Sequence, residues 1–120
     1  MIKVIARQGD LLLIQDENWE KLVQSKMVQA EAENGRIVIL RGEATGHHHS
    51  VDASVAELSF FVQEERPSIL NGTVIGILEI KETTDLAHIG HHNPIPITPG
   101  LYFVLQQREY RRGEIQRVMD

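Results

Sequence analysis

The dipeptide Asn34-Gly35 constrains the fold of this chain more than any other feature. Before it, Met27, Gln29, Glu31 and Glu33 alternate with Val28, Ala30 and Ala32; after it comes Arg36-Ile37-Val38-Ile39-Leu40. Asn-Gly is the favoured centre of a type I′ turn, because both central residues need positive φ and the resulting twist matches that of paired strands. The expectation is a β-hairpin, with the segment from Met27 returning along Arg36 to Leu40.

The same punctuation recurs along the chain. Ile2 to Ile14 reads as two strands around Gln8-Gly9-Asp10, and Leu11-Leu12-Leu13-Ile14 is a continuous apolar run, as in a strand covered on both faces. Asp16 offers an N-cap, with Trp19, Leu22 and Val23 at helical spacing, so one short helix is expected from about Glu17 to Gln24, with Trp19 in the core. Val55 to Gln63 reads as a strand, Asn71-Gly72 as a turn, and Thr73 to Glu82 as another strand. Asp85 to Gly100 reads as a long loop stiffened by Pro94, Pro96 and Pro99. Tyr102 to Gln107 and Glu114 to Val118 complete the set around Arg112-Gly113. Short strands with closely spaced turns predict a single all-β domain over 1–120, mainly antiparallel: a small sandwich or barrel of seven or eight strands with one short helix.

With 120 residues and 42% hydrophobic side chains, such a domain can bury a core without staples, and none is on offer, because the chain has no cysteine. That excludes disulfides and thiolate metal ligands and fits a reducing compartment. The apolar run at Ile2–Ile5 is too short for a signal peptide, and no window approaches a membrane span, so a cytoplasmic protein without membrane association is expected. A net charge of −5 argues against nucleic acid, which needs a basic face. The stretch from Arg108 to Arg117 is locally basic, but Glu109 and Glu114 interrupt it and no aromatic ladder accompanies it. Arg108-Glu109-Tyr110 reads as an exposed strand with alternating polar residues.

All six histidines fall in two places: His47, His48 and His49, then His88, His91 and His92. Both are internal, unlike an expression tag, and the flanking residues read as loops or strand ends. In extended chain His47 and His49 point to one face, so two imidazoles can converge on one ion at about 2.0–2.1 Å each. His88 and His91, three apart, can also converge in a tight loop. His47, His49, His88, His91 and His92 are therefore candidate metal ligands, with Glu43 as a carboxylate ligand, outer partner or catalytic base. The ion expected is a divalent transition metal, zinc before iron or nickel, since imidazole suits all three. A competing reading is two exposed polar loops that happen to be rich in histidine. Neither cluster alone offers a full shell, so the two are expected to approach each other, within a chain or across a subunit boundary.

Two resemblances bear on this. His47-x-His49 after Gly42 resembles the first motif of cupin barrels, which would imply a histidine-bearing metal site. Ala53 and Ser54 stand where that family expects a Glu, and Pro99-Gly100 follows His92 instead of preceding it. A wider likeness is carried by Gly42-Glu43-x-Thr45-Gly46-His47-x-His49, by Pro94-Ile95-x-Ile97-x-Pro99-Gly100-x-Tyr102 and by Gln107-Arg108-Glu109-Tyr110. In these blocks the chain resembles a family of small uncharacterised bacterial and phage-associated proteins. That likeness implies a site at Glu43, His47 and His49 and names no reaction.

No phosphate-cradling loop, His-Glu-x-x-His pair or Gly-x-Ser-x-Gly elbow is present, and nothing marks Ser50, Ser54 or Ser59 as a nucleophile. The functional expectation is a metal-binding structural or binding module, homo-oligomeric if histidines meet near a symmetry axis. The alternative is a metal-dependent enzyme, cupin-like or hydrolytic, with Glu43 activating a bound water. Four protein ligands would favour the first and three with an open position the second.

Overall fold

A computed structural model describes residues 1–17, 26–42, 46–90, 93–111 and 114–117, with side chains described through residue 107. These residues form an all-β fold of twelve strands, several only two to four residues long, and one 3₁₀ turn at Gln63–Glu65. The strands are β1 Ile2–Gln8, β2 Leu11–Asp16, β3 Met27–Gln29, β4 Arg36–Arg41, β5 His48–Asp52 and β6 Ala56–Phe61, then β7 Ser68–Ile69, β8 Gly72–Ile80, β9 Thr84–Ile89, β10 Ile95–Ile97, β11 Gly100–Arg111 and β12 Glu114–Arg117. The helix expected at Glu17 to Gln24 and the turn at Arg112-Gly113 lie almost wholly outside the described residues.

Every pairing is antiparallel. An eight-stranded sheet runs β1-β2-β11-β8-β6-β3, with β12 added to β11 and β7 to β8. A four-stranded sheet runs β10-β9-β5-β4. The main core includes Leu11, Leu13, Leu58, Leu78 and Val104 of the large sheet and Ile37, Val51, Leu86 and Ile97 of the small one. Neighbouring residues of the large sheet point the other way. Leu12, Ile14, Phe103 and Leu105 form a second buried cluster with Phe61 and Val74. The unbroken apolar run Leu11–Ile14 thus divides between two faces, as a doubly covered strand requires, and each buried Leu contributes about 1.5–3 kcal/mol of transfer free energy.

Asn34 (φ 51°) and Gly35 (φ 77°) form the expected turn, but its arms part almost at once. Glu33 and Arg36 make one bridge, with N–H···O distances of 2.8 and 3.0 Å. Beyond it β4 pairs with β5, while β3 pairs with β6, setting Met27 against Phe61 and Val28 against Phe60. The Asn34-Gly35 turn is therefore a crossing between sheets, and pairing with the aromatic end of β6 prevails over the local hairpin.

Two further expectations change. The second NG turn sits one residue earlier, at Leu70 (φ 50°) and Asn71 (φ 57°), because Gly72 begins β8 in register with Ile69. Gly72 is needed for space: a Cβ there would lie 2.5 Å from the Gln106 carbonyl oxygen. The segment read as one long loop, Asp85 to Gly100, contains β10 and all of β9 but its first residue, Thr84. In β9 the inward positions are Leu86 and His88, so half of its buried face is imidazole and the alternation is masked.

Candidate functional site

At one end of the sandwich the apolar filling between the sheets gives way to buried polar side chains. They are Gln8, Asp10, His49 and His88, from β1, the β1–β2 turn, β5 and β9; Ser50, also buried, lies on the other face of β5, where the Arg36 guanidinium bonds it. The β5–β9 register builds the histidine part. His49 is directly opposite His88, His48 opposite Ile89 and Ser50 opposite Ala87. Because side chains alternate, His49 and His88 share one face, and His48 shares the other with Ile89, which is exposed. His49 is fully buried and His88 nearly so. Their rings stack with centroids 4.0 Å apart at 20°.

His47, half-buried just before β5, meets the His88 ring edge-on at 6.5 Å and 87°. It also lies over Gly90, where an added Cβ would run into the imidazole. Gly90 has a φ of 104°, so it supplies both the space and the backbone conformation that admit His47. The two histidine clusters therefore do come together, through His47, His49 and His88. His48 turns aside, its Nδ1 3.2 Å from the Gly46 carbonyl. Gly42 N–H to His47 O, 2.9 Å, ties the end of β4 to the start of the site. Ile39, the extra residue of a β-bulge in β4, sits where the partner strand carries Ser50 and His49.

A hairpin turn supplies the carboxylate. Gly9 (φ 58°) and Asp10 connect β1 to β2, a place that is normally wet, yet Asp10 is 1% exposed. Gln107 N–H bonds the Asp10 carbonyl at 2.8 Å, and Gln106 Nε2 donates to Asp10 Oδ2 at 3.1 Å, so β11 covers the turn. Asp10 Oδ1 stands 3.8 Å from His49 Nε2.

Gln8 fixes the histidine. Its Nε2 donates to the carbonyls of Leu86 (3.0 Å) and Asn93 (3.1 Å), which leaves Oε1 as the acceptor facing His49 Nδ1 at 2.8 Å. Nδ1 therefore carries a proton, and Nε2 is the nitrogen turned toward Asp10.

Sequence reasoning missed Gln8, Asp10 and Gln106. The available signal was weak: polar residues closing the most apolar hairpin of the chain. Glu43, His91 and His92 lie outside the described residues; Gly90 and Asn93, which flank the two histidines in sequence, both touch the site. Among the described residues, no group of three or more His, Asp or Glu is placed to hold a metal ion.

A cavity of about 320 Å³ opens beside Gln106, lined also by Glu33, Arg41, Phe60 and Arg66. A larger one of about 440 Å³, lined by Lys3, Gln15, Asp16 and Phe103, includes no histidine and is separate from the polar cluster. No described helix is long and apolar enough to cross a membrane.

No curated protein and no solved structure matches the chain. Over residues 7–107, which span β1 to β11 and every described residue of the polar cluster, it matches the family model described as Domain of unknown function (DUF8820), and the chain belongs to that family.

Proposed function

We propose that this protein is a metal-binding β-domain whose histidine cluster holds a divalent transition metal, zinc first, in a structural or binding role. The observation that carries the reading is the meeting of His47, His49 and His88 at one buried end of the sandwich beside the Asp10 carboxylate. A stacked histidine pair can be plain packing. The surroundings favour a ligand role: packing would be served as well by apolar side chains, whereas here Gln8 fixes the protonated nitrogen of His49 and a carboxylate faces the other.

The likeness of Gly42-Glu43-x-Thr45-Gly46-His47-x-His49 to small bacterial and phage-associated proteins adds weight to the same end of the chain. His91, His92 and Glu43 are the further donors proposed, Glu43 being the base if the site proves catalytic. Subunits that share the site would make the protein a homo-oligomer, and the absence of cysteine and the net charge of −5 suit a cytoplasmic protein that does not bind nucleic acid.

Elemental analysis of protein purified without a tag and without added metal tests the reading. The expected result is near-stoichiometric zinc, iron or nickel that a chelator removes. Metal-free protein that takes up none of the three on titration contradicts it.

A further inference from the structure

We infer that the cavity of about 320 Å³ beside Gln106 binds a small organic anion, a monocarboxylate with an apolar body, and that Arg66 receives its carboxylate. Among the described residues no histidine lines this cavity, so the site is independent of the metal reading.

Two bulges build its apolar part. In β4 the register passes from Val38–Ser50 to Leu40–His49 and leaves Ile39 without an opposite residue. In β8 it passes from Val74–Leu105 to Gly76–Val104 and does the same to Ile75. One bulge lies in each sheet, and both extra residues line the cavity. Bulges bend a strand and re-aim its side chains, which opens room where two regular sheets would interdigitate. Ile39 and Ile75 are buried in the core that the sheets share, so the cavity reaches down to that core. Phe60, half-buried, adds an aromatic wall.

The charged part holds two guanidinium groups in different situations. Arg41 is engaged: its Nη2 donates to both carboxylate oxygens of Glu33 at 2.6 Å. Arg66 is half-buried, and its Nε donates to the Phe61 carbonyl at 3.1 Å. That bond fixes the guanidinium beside the cavity, and among the described residues no carboxylate pairs with it. Its remaining donors form a planar fork, which matches a carboxylate in two parallel bonds. The charge balance selects one negative charge. Glu33 offsets Arg41 and leaves Arg66 as the net charge of the lining, so a dianion would meet one cation and one carboxylate. The isoleucine and phenylalanine walls favour a hydrocarbon body over a sugar or a phosphate.

The test titrates full-length protein, stripped by chelator and dialysed, with benzoate, with benzyl alcohol as the neutral analogue and with inorganic phosphate as the other anion. Methyl and amide resonances follow the binding. Benzoate should move the Ile39 and Ile75 methyl resonances saturably, and benzyl alcohol and phosphate should bind weaker by about tenfold or more, as loss of a charged hydrogen-bonded pair implies. Arg66→Gln should weaken benzoate binding by about tenfold or more, and Arg66→Lys, which keeps the charge but not the fork, by less. Benzoate that leaves Ile39 and Ile75 unmoved overturns the site. Benzyl alcohol as tight as benzoate, or Arg66→Gln as tight as wild type, overturns the role of Arg66, and phosphate as tight as benzoate overturns the monocarboxylate class. If Arg66→Gln does not fold, the comparison of benzoate with benzyl alcohol on the wild type decides by itself.

Discussion

His49 and His88 face each other across the β5–β9 pair, and their rings stack 4.0 Å apart inside the sandwich. A one-residue slip of either strand would turn its imidazole to the outer face, so the site depends on this register. Gly90, just past β9, holds the next position on the same face and leaves it open for His47.

Gly90→Ala should therefore damage the site in two ways. The new methyl would collide with the His47 ring, and Ala would be strained at a φ of 104°. The expected cost is about 1–3 kcal/mol of stability, read as a lower melting midpoint, with the His47 side-chain resonances displaced. An unchanged midpoint and unchanged His47 signals would show that His47 does not lie over Gly90.

Gly35 tests the crossing between sheets. Nothing lies within 4 Å of a Cβ there, so a substitution acts through φ alone. Gly35→Val should destabilise by about 1 kcal/mol or more, and Gly35→Asn, which tolerates positive φ, by less. Equal midpoints for wild type and Gly35→Val in denaturant would mean that the turn is not formed as described.

Asp52 ends β5 and accepts two bonds from Ser54, from its N–H at 2.9 Å and its hydroxyl at 2.8 Å. The Ser54 N–H first, then the Ser54 hydroxyl, hold its pKa below the ordinary carboxylate value, with the Arg36 charge assisting. A carboxyl group with a depressed folded pKa contributes stability above its unfolded pKa and loses it as pH falls through the folded one. Asp52→Ala should thus melt lower than wild type at neutral pH, and the gap should narrow in acid as Asp52 protonates. A gap that stays constant from neutral pH down through the carboxylate range would contradict this.

Much of the fold was legible because local chemistry and tertiary structure agree. Gly9-Asp10 and Asn34-Gly35 both turn the chain, and Leu11–Ile14 is buried on both faces. The failures have a common cause in contacts that sequence does not announce. The arm Met27–Glu33 looked like a hairpin strand, but Phe60 and Phe61 of β6 capture its start. The strand β9 looked like loop because His88 takes a buried position that alternation assigns to an apolar residue. At the site, the meeting of the two clusters was anticipated from chain return. The burial of Asp10 was not, since His49, Gln106 and Gln107, which surround it, are all remote in sequence.

Calorimetric titration of Zn²⁺ into the metal-free wild type, the His47→Ala/His49→Ala double variant and His48→Ala tests the central claim most directly. His47 and His49 meet His88 on the inner face, while His48 shares the outer face with Ile89. The predicted result is saturable binding by the wild type, its loss in the double variant with the β-rich far-ultraviolet spectrum retained, and little change in His48→Ala. No binding by the wild type, or loss from His48→Ala as large as from the double variant, would contradict it.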